Sequence, residues 1–275
     1  MLGINKAKGA GLRSTYKLHP FFGHSWHVKL RPSNEYKHLD NEAKKINWAT
    51  HYFPSPPSAH NKNIFGLSLL FSRTLHGKPS FEMIGKIEPE KIINELIEAL
   101  DILRKSPTVA FKFESPDWTI AGKAREKISE ETFDEYKRKL LHPDFSNLSK
   151  IELTEILSYK PNENTKLLTH GDWCMPNVLL SDNGNMAGII DLGDMHVGDA
   201  DLDPAIMSWA IRANMGKKWE EQYLNFYGYK PDSPAIKYHR LVYDLGLRHD
   251  KPWCWLESNK LFERRNRLKV AEAKK

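Results

Sequence analysis

The N-terminal third of the chain alternates short apolar runs with turn residues, a pattern typical of antiparallel strands. It predicts four strands, over residues 2–7, 14–18, 25–30 and 64–71. Between the last two, apolar residues recur at a helical spacing, which predicts a helix over residues 40–50. The apolar face of that helix consists of Leu39, Ala43, Ile46 and Ala49. We expect this third of the chain to form a small, β-rich lobe.

The rest of the chain has mainly helical periodicity. Pro89 suits the first turn of a helix, and an apolar stripe follows it between Ile92 and Leu103. Further helices are predicted within residues 116–141 and over 151–159, 205–214, 217–227 and 233–243. Three short strands interrupt them, over residues 166–169, 178–180 and 186–190. The pattern therefore predicts an α+β fold with a helical C-terminal part.

Oxygen-bearing side chains follow these three short strands. Asp172 and Asn177 lie in the loop after the first strand, and Asp191 follows the third. Asn183-Gly184 is a strong hairpin signal, so Asn177 and Asp191 should meet at the open end of that hairpin. Amide and carboxylate oxygens suit Mg²⁺, and Asp172 can take a proton from an attacking hydroxyl. A single Asp in such a loop is more often a turn residue, but the whole string points to phosphoryl transfer from a magnesium-bound nucleotide.

One carboxylate falls on the apolar face of the predicted N-terminal helix. Glu42 comes three residues after Leu39 and four before Ile46. Because burying a lone charge is costly, Glu42 needs a partner, and Lys29 near the end of the preceding strand is the natural candidate. The alternative is that both residues are ordinary surface charges.

The string of loop residues also resembles a known family. From His170 to Asn177 and from Ile190 to Asp203, the chain is similar to the catalytic and metal loops of aminoglycoside phosphotransferases, which have a protein-kinase-like fold. It resembles in particular the aminoglycoside 3′-phosphotransferases. The likeness runs from about Gly9 to about Leu245 and leaves the C-terminal tail outside. It implies an ATP-dependent kinase that phosphorylates a hydroxyl of an aminoglycoside, a reaction that gives antibiotic resistance.

The resemblance further implies a two-lobed architecture. The nucleotide-binding lobe would cover residues 1–74, the hinge would lie near Leu75, and the catalytic and substrate-binding lobe would cover residues 75–275. In kinase-like folds a strand lysine pairs with a helix glutamate and holds the α- and β-phosphates. Lys29 and Glu42 would therefore help to bind ATP.

By the same resemblance, the loop residues receive separate roles. Asp172 is the catalytic base, and Asn177 and Asp191 are the Mg²⁺ ligands. Asp203 resembles a family aspartate that ties the catalytic loop to the following helix. We expect His170 to hold that loop by hydrogen bonding and packing rather than to move protons.

Two further pairs of residues are weaker candidates. Gly9 and Gly11 could form the tight turn over the nucleotide phosphates, although two glycines at this spacing are common in loops. Asp199 follows the metal loop and could face the acceptor or solvent. Asp244 is the one acid at the place where the family has an acidic pair near its C-terminus. Asp199 and Asp244 are therefore candidate substrate contacts.

Length and composition agree with an intracellular enzyme. The 275 residues are 40% hydrophobic, which is enough for one two-lobed enzyme or two small domains. No apolar run approaches the length of a membrane span, and the first residues lack the apolar region of a signal peptide. Cys174 and Cys254 are the only cysteines, which argues against a disulfide framework or a structural zinc site. We expect a cytoplasmic protein.

The charge of the chain leaves the acceptor open. A net charge of +6 is unusual for a protein that attracts a polycationic aminoglycoside, so a neutral or anionic hydroxylated metabolite is the alternative acceptor. A basic tail from Lys260 to Lys269 raises a non-enzymatic alternative, nucleic-acid or membrane-surface binding. A charged C-terminal helix is more often a solvated face. A protein that binds nucleotide without catalysis is a further alternative, but such a module has no need of Asp172.

Overall fold

The computed structural model describes residues 3–10, 13–19, 23–116, 121–162 and 166–246. Gly11 and the basic tail from Lys260 to Lys269 lie outside this part of the chain. Contacts divide the chain into two compact units. The first contains Met1–Phe113 and Pro176–His196, and the second contains Glu114–Met175 and Val197–Lys275. The boundary predicted near Leu75 divides a nucleotide-binding lobe from a catalytic lobe, and this division stays a prediction.

The helices and strands follow one another in the order expected for an α+β protein. The strands are β1 (Gly3–Ala10), β2 (Arg13–His19), β3 (Trp26–Pro32), β4 (Ala59–Ile64), β5 (Leu67–Arg73), β6 (Lys78–Pro79), β7 (Lys166–Thr169), β8 (Val178–Leu180), β9 (Met186–Ile189) and β10 (His196–Asp199). The helices are α1 (Tyr36–Ala49), α2 (Pro89–Arg104), α3 (Ala121–Ser129), α4 (Phe133–Leu140), α5 (Pro143–Ser146), α6 (Lys150–Ile156), α7 (Leu202–Met215), α8 (Lys217–Phe226) and α9 (Pro234–Gly246).

The first unit is built on a five-stranded antiparallel sheet, in the order β1-β2-β3-β5-β4. Helix α1 packs against β4 and β5. Its predicted apolar face is confirmed, because Leu39, Ala43, Ile46 and Ala49 are all buried. A second, three-stranded sheet in the order β6-β8-β9 contains the predicted hairpin. This hairpin ends at the candidate metal ligands, and β3 and α1 carry Lys29 and Glu42.

The prediction of one strand over residues 64–71 is wrong. The chain turns back at Phe65 and Gly66, whose φ angles of 49° and 75° both lie in the left-handed region that a two-residue hairpin requires. This turn separates β4 from β5. Strand β4 escaped prediction because it is polar and mostly exposed at the edge of the sheet, so it lacks the apolar alternation of a half-buried strand.

The second unit is mainly helical. Its predicted helices are confirmed within a few residues as α6, α7, α8 and α9, and the predicted charged helix pair is α3 and α4. Strands β7 and β10 pair as a two-stranded sheet. A buried apolar cluster joins α3, α4, α5, α6, α7 and α9, and its larger members include Phe133, Phe145, Trp209 and Leu241. None of the described helices has the length and apolar composition that a membrane span requires.

Candidate active site

Lys29 lies between two carboxylates in the first unit. Its Nζ atom is 2.6 Å from Oε1 of Glu42 and 2.6 Å from Oδ1 of Asp191. Burial alone would lower the pKa of Lys29, but the charges of Asp191 and Glu42 outweigh it and raise this pKa. The lysine therefore stays cationic, and the predicted ion pair with Glu42 is present. The third member, Asp191, was not predicted as a partner of Lys29.

Local structure explains why these groups meet. Lys29 is in β3, between Thr15 of β2 and Leu70 of β5, so its backbone is fixed on both sides. Glu42 is on the buried face of α1 and is only 2% exposed. A buried carboxylate is destabilising unless a cation compensates it. Removal of Lys29 would therefore leave Glu42 as an uncompensated buried charge.

The hairpin between β8 and β9 brings the two predicted metal ligands to the same end. The Ile190 N–H donates to the backbone oxygen of Asn177 at 3.0 Å, directly before Asp191 in the chain. At the other end, the N–H of Gly184 donates to the carbonyl of Ser181 at 2.9 Å. Gly184 has a φ of 84°, which favours glycine. The predicted tight hairpin is thus confirmed, with Asn177 and Asp191 at its open end.

The backbone of the metal loop has an uncommon conformation. Asp191 has φ 64° and ψ 57°, a left-handed geometry that non-glycine residues rarely adopt. Lys45 of α1 donates from Nζ to the carbonyl oxygen of Gly193 at 2.7 Å. Burial lowers the pKa of Lys45, against the raising effect of Asp194 and Glu42. Helix α1 therefore holds this loop at two places, through Lys45 and through the Glu42–Lys29–Asp191 contact.

The donor set at the open end of the hairpin fits Mg²⁺. Asn177 offers an amide oxygen and is 4% exposed, whereas the side chain of Asp191 is 47% exposed. Two oxygen donors with an open side suit Mg²⁺, because this ion keeps waters and takes few protein ligands. The roles of Asn177 and Asp191 as metal ligands stay predictions.

A buried aspartate holds the catalytic loop in the second unit. Asp203, near the start of α7, accepts hydrogen bonds from the N–H of His170 at 2.7 Å and of Gly171 at 3.0 Å. His170 is fully buried, and its Nδ1 accepts the N–H of Asp172 at 3.2 Å. These contacts agree with the structural roles expected for Asp203 and His170. They orient the backbone on which Asp172 stands.

The carboxylate of Asp172 accepts a hydrogen bond from a neutral donor. The hydroxyl of Tyr243, in α9, donates to Oδ1 of Asp172 at 2.6 Å. The thiol of Cys174 lies 3.7 Å from the same oxygen. Asp172 is half-buried, so part of the carboxylate can reach a substrate. Tyr243 was missed as a functional residue because it is 71 positions away in the chain and no local pattern marks it.

The remaining sequence-predicted residues have varied positions. Gly9 is in β1, opposite Ser14 of β2, and Gly11 lies outside the described residues. Asp199, at the end of β10, has its Oδ2 3.3 Å from Nε2 of His239. Asp244 is 3% exposed and accepts the N–H of His142 at 2.7 Å. The roles of these residues toward nucleotide or acceptor stay predictions.

Burial has a large electrostatic effect on Asp244. It raises the pKa of this carboxyl to about 7, against the lowering effects of the His142 N–H and of Lys127. Near neutral pH the group is therefore partly protonated. A buried and partly neutral carboxyl is a poor direct contact for a cationic acceptor unless α9 rearranges.

Comparisons with known proteins identify the family to which this chain is similar. Residues 31–239 match the sequence profile of a family described as a phosphotransferase enzyme family. An aminoglycoside 3′-phosphotransferase from Escherichia coli is 23% identical over 209 residues, which cover 74% of this chain and 75% of that protein.

Solved structures extend the comparison to the fold. An aminoglycoside-3′-phosphotransferase of type VIII superposes with a TM-score of 0.69 at 19% identity, covering 88% of this chain and 94% of that one. The aminoglycoside phosphotransferase APH(3″)-Id from Streptomyces rimosus ATCC10970, in complex with ADP and streptomycin, superposes with a TM-score of 0.64 at 18% identity, covering 85% and 90%. These similarities confirm the predicted protein-kinase-like α+β fold.

Proposed function

This chain belongs to the phosphotransferase enzyme family, and we propose that it transfers the γ-phosphate of ATP to a hydroxyl group of an aminoglycoside. The observation that carries the proposal is the position of Lys29, whose ammonium lies 2.6 Å from both Glu42 and Asp191. This contact joins a strand lysine, a helix glutamate and a metal-loop aspartate, the combination that kinase-like phosphoryl transfer uses. The names of the relatives support aminoglycosides as the acceptors.

The nucleotide half of the reaction uses residues of the first unit. Lys29, positioned by Glu42, binds the α- and β-phosphates, and the segment of chain that contains Gly9 and Gly11 covers them. Asn177 and Asp191 hold Mg²⁺. Bound there, Mg²⁺ would neutralise phosphate charge. Since Lys29 already neutralises two carboxylates, its ammonium is positioned before the nucleotide arrives, which lowers the cost of ordering it.

The acceptor half uses the catalytic loop. Asp172 accepts a hydrogen bond from the acceptor hydroxyl and orients it toward the γ-phosphorus. The transition state of such transfers is loose, so the proton moves late and positioning contributes most of the rate. Tyr243 keeps the carboxylate of Asp172 in place, and Asp203 keeps the loop in place through the N–H groups of His170 and Gly171.

A second acceptor class is favoured by two observations. Asp244, the acid at the family's C-terminal acidic position, is buried and bonded to a backbone N–H, and the chain has a net charge of +6. Both features reduce the attraction for a polycation. The alternative acceptor is therefore a neutral or anionic hydroxylated metabolite.

An acceptor panel tests the proposal. The protein is incubated with ATP and Mg²⁺ and with aminoglycosides, uncharged polyols, anionic sugar acids or simple amino sugars, and phosphorylated products are identified by mass spectrometry. Asp172→Asn is the matched control, because it keeps the shape of the side chain and removes the base. We expect aminoglycoside-dependent release of ADP and a phosphorylated aminoglycoside, both lost in the control.

Other outcomes separate the alternatives. If only a neutral or anionic alcohol is phosphorylated, the second acceptor class replaces the first. If no acceptor stimulates ADP release above the rate of Asp172→Asn, the phosphotransferase activity itself is refuted. Salt-sensitive binding to DNA or RNA without turnover would favour the nucleic-acid alternative.

A further inference from the structure

Three ionisable side chains converge where β10, α7 and α9 meet in the second unit. Asp199 is the last residue of β10, Asp201 precedes α7, and His239 is in α9. One ligand atom from each lies within 4.8 Å of the others. None of the three has an essential role in the phosphoryl transfer described above, although Asp199 is a predicted acceptor contact.

The histidine is the member of this cluster that most needs a partner. His239 is 4% exposed, and its Nε2 atom is buried without a hydrogen bond. Nε2 lies 3.3 Å from Oδ2 of Asp199, but the two atoms do not have hydrogen-bond geometry. A buried nitrogen without a partner costs free energy. A cation between the nitrogen and the carboxylate would satisfy both.

The charges of the cluster also favour a bound cation. Asp199 and Asp201 bring two carboxylates close together, and like charges at this range repel. Among the described residues, no lysine or arginine forms an ion pair with either of them. His239 is the one basic side chain of the described residues in contact with either carboxylate, and a divalent cation would compensate the two negative charges more fully.

Neighbouring hydrogen bonds hold the carboxylates as the surroundings of a metal site would. Oδ1 of Asp199 accepts the N–H of Asp201 at 3.3 Å, and Oδ1 of Asp201 accepts the hydroxyl of Tyr229 at 2.7 Å. Such partners fix the orientation of metal ligands in proteins.

We propose that Asp199, Asp201 and His239 bind a divalent transition-metal ion of the zinc type. Zinc bonds to nitrogen and carboxylate oxygen of about 2.0–2.2 Å place two ligands of a tetrahedron roughly 3.3–3.5 Å apart. The observed separation between Nε2 of His239 and Oδ2 of Asp199 is 3.3 Å. An imidazole ligand favours Zn²⁺ over Mg²⁺. The scarcity of cysteine argued against a structural zinc site, and this one needs no cysteine.

The ion would join two elements that both orient the catalytic base. Asp203, two residues after Asp201, holds the N–H groups of His170 and Gly171. Tyr243, one helical turn after His239, donates to Asp172. A metal bound to Asp201 and His239 would therefore fix α9 to the segment that supports the catalytic loop. It is a structural site and takes no part in the chemical step.

Metal titration of the nucleotide-free protein tests the proposal independently of activity. Full-length protein without a polyhistidine tag is treated with a chelator, titrated with Zn²⁺ in excess Mg²⁺ by calorimetry, and analysed for bound metal by elemental mass spectrometry. We expect one Zn²⁺ per chain that Mg²⁺ does not displace. Tyr229→Phe should lower the affinity by about 10- to 100-fold, because it removes a hydrogen bond to a ligand.

Matched variants locate the ion. His239→Ala should lose it, and Asp201→Asn should lose it while keeping a similar shape and an acceptor for Tyr229. His38→Ala, which changes an exposed histidine of α1, should retain it. If His239→Ala is unfolded by circular dichroism, Asp201→Asn provides the comparison.

Two results would overturn the site. One is absence of stoichiometric Zn²⁺, or equal Zn²⁺ content in wild type and Asp201→Asn. The other is that wild type contains no metal and that the Asp201→Asn variant binds an amine-bearing acceptor more weakly than wild type does. The cluster would then hold an ammonium group. Neither result depends on whether aminoglycosides are phosphorylated, so failure of this site and failure of the proposed function are distinguishable.

Discussion

The carboxylates of Asp191 and Asp172 are held in opposite ways. Asp191 is bound by the ammonium of Lys29, which also binds Glu42, whereas Asp172 is bound by the neutral hydroxyl of Tyr243. A carboxylate that receives Mg²⁺ has to exchange its partner for the metal ion. A cationic partner such as an ammonium group can be exchanged in this way. A neutral partner fixes the direction of a carboxylate without bringing a charge beside it. The difference indicates that an ion pair positions the proposed metal ligand Asp191, and a neutral hydrogen bond positions the proposed base Asp172.

Asp172→Asn is expected to have the largest effect on turnover. It should lower kcat by about 10²–10⁴-fold, the usual contribution of a general base, and leave the affinity for nucleotide unchanged. Steady-state release of ADP and calorimetric titration with nucleotide measure the two quantities. Near-normal turnover would refute the role of Asp172 as base, and a loss of nucleotide affinity would show that the two sides are not separate.

Asp191→Ala is expected to weaken Mg²⁺-dependent nucleotide binding by about 100-fold, or about 2.7 kcal/mol, because it removes a proposed metal ligand and one partner of Lys29. Asp182→Ala is the matched control. Asp182 lies in the turn of the same hairpin and forms an exposed ion pair with Lys78, and exposed pairs contribute little. Calorimetry with and without Mg²⁺ measures the effect. Unchanged affinity in Asp191→Ala would contradict its role.

Tyr243→Phe should have a moderate effect on turnover alone. A hydrogen bond to a charged group contributes about 1.5 kcal/mol, so kcat should fall by about tenfold with the affinity for nucleotide retained. Kinetics at saturating ATP measure kcat separately from KM. An unchanged kcat would mean that Tyr243 packs beside Asp172 without orienting it.

Asp244→Asn should have a small catalytic effect and a pH-dependent effect on stability. Burial raises the pKa of Asp244 to about 7 in the folded protein, above its value of about 3.9 in the unfolded chain. The folded state therefore binds more protons between about pH 4 and pH 7, and the contribution of Asp244 to stability is lost as the pH rises through this window. Relative to wild type, the variant should gain at most about 1.4 kcal/mol per pH unit.

Urea unfolding of wild type and Asp244→Asn at several pH values across this window measures that gain. A difference in unfolding free energy that does not change with pH would contradict the burial of an ionisable carboxyl at this position. The result would also extend the comparison of charged and neutral partners to a third carboxyl group, because Asp244, like Asp172, accepts a hydrogen bond from a neutral donor.

The residues that sequence reasoning found are those whose neighbours are close in the chain. Asp172, Asn177 and Asp191 share a loop and a hairpin whose Asn183-Gly184 turn is a local signal. Glu42 was detected because helical spacing puts a charge on an apolar face. In both cases the pattern that marks the residue also determines its place in the structure.

What the sequence did not predict depends on contacts between distant segments. The contact of Tyr243 with Asp172 and that of Lys45 with the Gly193 carbonyl span 71 and 148 positions, and no periodicity links such residues. Strand β4 was missed for another reason. Its side chains are polar because it lies at an exposed edge, so nothing but pairing with β5 identifies it.

The left-handed backbone of Asp191 has a consequence for directed evolution. A residue with a side chain is less stable in this conformation by about 1–2 kcal/mol, and glycine is not. A library selected for heat resistance alone would therefore enrich Asp191→Gly, and Lys29 would still have Glu42 as a partner. Under the proposed function, such clones would be heat-resistant but would lack the carboxylate that receives Mg²⁺, so heat selection of this scaffold has to be coupled to a screen for ADP release.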